Sequence, residues 1–187
     1  MPLPSLPAFF ANLIRAPRTI GAIAPSGPYL ARLITSEITP GSGRILELGP
    51  GTGVFTQTLL DKGVGPADLT LVEIEKPFVS LLRRRFPGVT VLQRDAGHLP
   101  DLKKDSYAAV VSGLPFRNMP KDTIFAILSE ALSLLHGDGS FYQFTYGAAC
   151  SVPADVMDRL GLESERLGRV RLNLPPASVF KLSRKPS

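Results

Sequence analysis

The chain has 187 residues, 44% hydrophobic and 20% charged, the make-up of one folded domain with its own core, which excludes a disordered chain. A single cysteine, Cys150, excludes an internal disulfide framework and reads as a small buried residue; with two histidines beside it, no zinc site is expected. A formal charge of +5 favours an anionic partner, nucleic acid or a lipid surface, and with no bilayer-length apolar run and no export signal the expected location is the cytoplasm.

In chain order, residues 1–20 stand apart. Pro2, Pro4 and Pro7 precede a helical pattern over 8–16 that puts Phe9, Phe10, Leu13 and Ile14 on one side, with Asn12, Arg15 and Arg18 elsewhere. Such a helix either packs across an edge of the fold or lies in a membrane interface, its arginines on lipid phosphates. Residues 21–187 make the expected globular domain. Apolar, β-branched runs predict strands at 44–48, 69–73, 89–93, 107–112 and 140–146. Amphipathic patterns between them predict helices at 54–62, 76–86 and 121–135. The alternation implies an α/β fold with a mostly parallel sheet covered on both faces. Residues 169–174 and 178–182, joined through Pro175-Pro176, predict a hairpin on one sheet edge, giving seven strands in all. Arg83, Arg84 and Arg85 fall near the end of the second helix, where cations are favoured, and read as a solvated face.

The segment Ile45-Leu46-Glu47-Leu48-Gly49-Pro50-Gly51-Thr52-Gly53 reads as a buried strand entering a glycine-rich turn before a helix. Glycine lets the backbone approach a ligand closely, and the spacing lacks the third glycine of a dinucleotide fingerprint. Glu47 at the strand end repels a pyrophosphate and suits an amine or sulfonium, which points to S-adenosylmethionine rather than NAD. Glu73 ends the second strand about 20 residues after the last glycine, where a carboxylate accepts from both hydroxyls of a ribose. Asp95, after the third strand, is placed to accept from an adenine amino group. The fourth strand ends in Ser112-Gly113-Leu114-Pro115-Phe116, a stiffened turn whose carbonyls can hold and orient an amine for methyl transfer. The fifth strand puts Tyr142, Phe144 and Tyr146 on one face, and Tyr146 with Phe116 can form an aromatic wall for a methylated ammonium.

Together these residues resemble the class I S-adenosylmethionine-dependent methyltransferases. More narrowly, the chain resembles the bacterial phospholipid N-methyltransferases, distant relatives of the rRNA adenine dimethylases. The likeness runs from Gly21-Ala22-Ile23-Ala24-Pro25-Ser26 through the glycine loop, Val72-Glu73 and Ser112-Gly113-Leu114-Pro115. It continues in Phe141-Tyr142-Gln143-Phe144-Thr145-Tyr146-Gly147 and Asn173-Leu174-Pro175-Pro176-Ala177. It implies a Rossmann-like methyltransferase fold, S-adenosyl-L-methionine as methyl donor, S-adenosyl-L-homocysteine as product, and no metal.

It also implies that Gly49, Gly51 and Gly53 line the methionine part, with Glu47 near its amino group and Ser26 near its carboxylate. Glu73 then holds the ribose and Asp95 the adenine, with Thr52, Ile74, Ala96 and Ser112 beside them. Gly113, Leu114 and Tyr146 are the expected catalytic residues. Pro115, Phe116 and Tyr142 are expected on the substrate side, with Phe9, Phe10, Leu13, Arg15 and Arg18 at the membrane. The implied substrate is phosphatidylethanolamine and its methylated derivatives in an anionic membrane, met by a monomer peripheral to the inner face of the cell membrane, with no nucleic acid partner. The alternatives are an rRNA adenine N6-methyltransferase, against which Ser112 stands where an asparagine is usual, a small-molecule amine methyltransferase, and an inactive lipid-surface binding protein.

Overall fold

The computed structural model describes residues 27–172 and 175–186. Residues 1–26 fall outside the described residues, so the N-terminal helix, Phe9, Phe10, Leu13, Arg15, Arg18 and Ser26 carry no structural account here.

Among the described residues seven strands form one sheet. Helix α1 (Pro28–Ile34) precedes β1 (Ile45–Leu48), and α2 (Val54–Asp61) leads to β2 (Leu69–Glu73). Then come α3 (Lys76–Arg85), β3 (Thr90–Gln93), β4 (Tyr107–Ser112), α4 (Lys121–Leu134) and β5 (Leu135–Thr145). Helix α5 (Ala154–Arg159), β6 (Leu162–Val170) and β7 (Ala177–Arg184) complete the described chain. The strand order is β3-β2-β1-β4-β5-β7-β6; β1 to β5 run parallel, and β7 lies antiparallel between β5 and β6.

The central strands form because their side chains are apolar on both faces. Every residue of β1 and β2 is buried, as expected of parallel strands with helices on either side. On one face Ile45, Leu69, Val111 and Tyr142 meet Leu30 and Ile34 of α1 and Phe55 and Leu59 of α2. Beside them Leu71 and Val91 meet Val79 and Leu82 of α3. On the other face Leu46, Leu48, Val110 and Phe141 pack on Ile124, Ile127 and Leu128 of α4 and Val156 of α5.

The register brings the strand ends level. Leu48 lies opposite Val72 and Ser112, Ser112 opposite Gln143, and Glu73 opposite Gln93. The chain winds from β1 toward β3 on one side and from β4 onward on the other. The crevice between β1 and β4 is therefore the switch point where open α/β sheets bind ligands.

Four elements depart from the sequence reading. The first hairpin strand was expected at 169–174 but runs Leu162–Val170, and Arg171 and Leu172 lie in the turn. Glu163, Ser164, Glu165 and Arg166 are exposed; a charged edge strand protects against pairing with other chains and hides the apolar alternation. Strand β5 begins at Leu135, opposite Tyr107, rather than at 140. Helices α1 and α5 were not anticipated; both are short and start behind a glycine or proline, α1 with Pro28 in its first turn.

Candidate active site

At the carboxyl end of β1 the glycine loop turns back over the sheet. Gly113 and Gly49 lie so close that a Cβ on Gly113 would stand 2.5 Å from the Gly49 carbonyl oxygen. Gly53, the N-cap of α2, has φ of +82° and faces the Phe86 ring, so it too tolerates no side chain. The Gly49 N–H donates to the Val72 carbonyl at 2.9 Å, and Gly113 N–H to the Leu48 carbonyl at 2.8 Å, which stitches the strand ends together.

Glu73 is the keystone of this end of the sheet. One carboxylate oxygen accepts the N–H of Ile74 (2.8 Å) and Glu75 (3.0 Å), and the other accepts the N–H of Gly51 (3.1 Å). Burial raises its pKa, opposed by those three bonds. A carboxylate has about four lone-pair sites, so acceptor capacity remains for a ligand hydroxyl.

Glu47 is only 1% exposed. One oxygen accepts the Thr56 hydroxyl at 2.6 Å, while Oε1 is buried with no partner among the described residues. Desolvation pushes its pKa up to about 7. An unpartnered buried acceptor beneath the loop suits a cationic group.

The crevice opens into a pocket of about 270 Å³. Gly49, Glu73, Ile74, Asp95, Ala96, Gly113, Leu114 and Pro115, all expected at the site, line it. Asp95 is exposed, and its Oδ1 accepts the Gly97 N–H at 2.8 Å, an Asx turn that holds it at the rim. Ile74 is 59% exposed, an apolar side chain left open beside acids, as a flat base stacked on it would require.

The lining also contains Glu75, Arg94, Met119, Thr123 and Ile127, which sequence reading missed. Thr123 and Ile127 sit four residues apart at the start of α4, so a helical-face argument was the available signal. The apolar walls, with three carboxylates at the rim, fit a nucleoside with a positively charged tail and disfavour a pyrophosphate.

Other expected residues serve the loop from outside the pocket. Gly51 reaches Glu73 through its N–H, and the Thr52 carbonyl accepts Arg85 Nη1 at 2.8 Å. Ser112 is fully buried and its hydroxyl accepts the Leu114 N–H at 3.3 Å, closing the turn. The Leu114 carbonyl accepts both the Phe116 N–H and Gln143 Nε2 (2.9 Å), so it has no ready capacity for a substrate amine. Gln143, read beforehand only as a letter of the strand motif, is the buried amide that locks this turn to β5; it also donates to the Phe144 carbonyl at 2.8 Å.

Two substrate-side expectations are corrected. Phe116 was expected to wall the site, but it is 1% exposed and stacks on Phe141 in the core at 6.1 Å between centroids. Tyr142 faces α1 instead: its hydroxyl donates to Glu37 at 2.8 Å, and Glu37 also pairs with Lys181 at 2.9 Å. Tyr146 stands at the exit of β5, half-buried and edge-on to Phe144, outside the pocket lining. Cys150 packs against the core, and burial raises its thiol pKa. Among the described residues no group of three His, Cys, Asp or Glu side chains could hold a metal, and no helix is long and apolar enough to cross a membrane.

A mostly parallel sheet with this switch-point crevice, a G-x-G-x-G turn and a strand-end acid on the glycine loop defines a class I S-adenosylmethionine-dependent methyltransferase. The family model described as a methyltransferase domain matches residues 45–139, and the chain belongs to that family. It is similar to the ornithine lipid N-methyltransferase of Singulisphaera acidiphila, with 28% identity over 145 residues covering 73% of this chain and 76% of that protein. It is also similar to the ribosomal RNA small subunit methyltransferase A of Methylococcus capsulatus, with 31% identity over 109 residues, 55% of this chain but 41% of that protein. Among solved structures, the 1,6-didemethyltoxoflavin-N1-methyltransferase of Burkholderia thailandensis, with bound 1,6-didemethyltoxoflavin and S-adenosylhomocysteine, superposes with a TM-score of 0.68. That match has 15% identity and covers 99% of this chain and 93% of that one.

Proposed function

We propose that this enzyme methylates the amine of phosphatidylethanolamine and of its methylated derivatives, leading toward phosphatidylcholine. The observation that carries the reading is the lipid-acting relative's match across about three quarters of both chains. The rRNA-acting relative matches over less than half its own length. The Ser112-Gly113-Leu114-Pro115 turn and the motif around Gln143, which resemble phospholipid N-methyltransferases, support the same substrate class.

In this reading Glu73 holds a ribose hydroxyl of S-adenosylmethionine, Asp95 meets the adenine amino group, and Ile74 and Ala96 flank the base. Glu47 lies beneath the methionine ammonium, and Gly49, Gly51 and Gly53 keep that end free of side chains. The bound donor supplies an electrophilic methyl group on its sulfonium. What the chain supplies is position: with the Leu114 carbonyl already engaged, the Gly113 carbonyl is the acceptor that orients the substrate amine. Orientation is the main contribution a protein makes to an in-line displacement. Tyr146 stands as the aromatic side chain on the acceptor side, where a methylated ammonium gains from a ring face.

Residues 1–20 bring the enzyme to an anionic membrane from the cytoplasmic side. The test is incubation with S-adenosylmethionine and mixed liposomes of phosphatidylethanolamine and ornithine lipid, followed by mass spectrometry of the extracted lipids. Mono-, di- and trimethylated phosphatidylethanolamine is the expected result; methylation confined to the ornithine lipid would move the substrate to the relative's lipid.

A further inference from the structure

Arg117 lies two residues past Pro115 in a short 3₁₀ turn (Phe116–Asn118), between the pocket-lining residues Pro115 and Met119. Its side chain crosses to the end of β5, where Nη1 donates to the Tyr146 carbonyl at 2.7 Å. Gly147 makes room for it: a Cβ there would stand 2.6 Å from Nη1. This bond and the one from Gln143 to the Leu114 carbonyl run in opposite directions between the same two segments, so the guanidinium is held at a set place on the acceptor side.

The charge around it is unbalanced. The pocket rim carries Glu73, Glu75 and Asp95, and the one cation among its described lining residues, Arg94, is paired with Asp101 at 3.0 Å. Arg117 is exposed and has no carboxylate partner among the described residues. Only one of the five N–H donors of a guanidinium is needed for the Tyr146 carbonyl, which leaves a fork that suits an oxyanion.

Resting on the lipid-methylation reading, we propose that Arg117 anchors the acceptor by its anionic group. Its guanidinium binds the oxyanion that accompanies the reactive amine in a zwitterionic headgroup. That oxyanion is the phosphate in an ethanolamine lipid or the carboxylate in an amino-acid lipid. In the ethanolamine headgroup a short two-carbon spacer separates amine from phosphate ester, consistent with an amine at the Gly113 turn and an anion at the neighbouring 3₁₀ turn. The residue thereby selects zwitterionic headgroups over simple amines.

The experiment compares wild type, Arg117→Gln and Arg117→Lys in detergent micelles carrying phosphatidylethanolamine, ornithine lipid or a single-chain primary alkylamine. Affinity for S-adenosylhomocysteine serves as the folding check. The expected result for Arg117→Gln is a fall in kcat/KM of roughly 10–100-fold on both lipids, carried mainly by KM, as loss of a charge-assisted bond predicts. The fall on the alkylamine should be several times smaller, and Arg117→Lys should recover part of the lipid activity. Equal losses on all three acceptors would overturn the assignment and leave Arg117 as a brace between two loops. If wild type uses the lipids alone, recovery by Arg117→Lys over Arg117→Gln supports the anchor, and identical loss in both overturns it. No turnover of any acceptor by wild type would overturn the lipid reading and this inference with it.

Discussion

Replacing Glu73 by alanine separates cofactor binding from loop stability, because this one carboxylate serves both. In the proposed complex its remaining lone-pair site accepts from a ribose hydroxyl. Such a charge-assisted bond contributes about 1.5–3 kcal/mol, which is roughly 10–150-fold in Kd. The same oxygens hold the N–H groups of Gly51, Ile74 and Glu75. These donors are partly exposed, so water replaces much of what they lose, and removing a carboxylate whose pKa burial raises returns some free energy. The net cost to stability is on the order of 1–2 kcal/mol, a few degrees in Tm. Calorimetric titration with S-adenosylhomocysteine measures the first quantity and differential scanning calorimetry the second. Glu73→Gln, which keeps one acceptor oxygen, should fall between wild type and alanine on both. An unchanged Kd in a variant that still melts cooperatively would refute the ribose placement.

Glu47 should make stability depend on pH. Its folded pKa is raised above that of the unfolded chain, so its contribution is fully present below about 4.5 and is lost as pH rises to about 7. The loss amounts to at most about 3 kcal/mol; urea titrations from pH 4.5 to 8 should show it, and Glu47→Gln should flatten the profile. Gly113→Ala should destabilise the strand-end crossing by roughly 1–3 kcal/mol through overpacking against the Gly49 carbonyl, and weaken S-adenosylhomocysteine binding measured by calorimetry. Tyr142→Phe should cost about 1 kcal/mol through the lost bond to Glu37 while kcat/KM stays within about twofold, since the ring does not border the pocket; a selective loss of kcat would return Tyr142 to the substrate side. Replacing Phe9 and Phe10 by serine should abolish sedimentation with anionic liposomes and spare cofactor binding; continued co-sedimentation at moderate salt would assign lipid contact to another surface.

The central sheet was legible because β1, β2 and β4 are apolar runs buried on both faces, a pattern that needs no tertiary information. Strand β6 was misplaced for the converse reason: at the sheet's edge its charged residues serve negative selection against pairing, not burial. Strand-end acids such as Glu73 and Asp95 could be placed because parallel topology brings every strand's carboxyl end to one side. Period-two alternation told which face Tyr142 shares with Phe144, yet not that Glu37 would claim its hydroxyl from a segment 105 residues away. Phe116 read as a pocket aromatic because it follows a turn, but the turn folds inward onto Phe141. Arg94, just past β3, and the Thr123–Ile127 face of α4 come to the pocket from separate elements, a meeting that only the packed structure reveals.

The most direct test of lipid methylation offers both acceptor classes at once. The enzyme is given methyl-labelled S-adenosylmethionine with phosphatidylethanolamine liposomes and an unmodified small-subunit rRNA transcript in the same reaction, and label is then counted in the lipid and RNA fractions. The account predicts label in methylated phosphatidylethanolamine and background in the RNA. Label in the RNA with none in the lipid would contradict it.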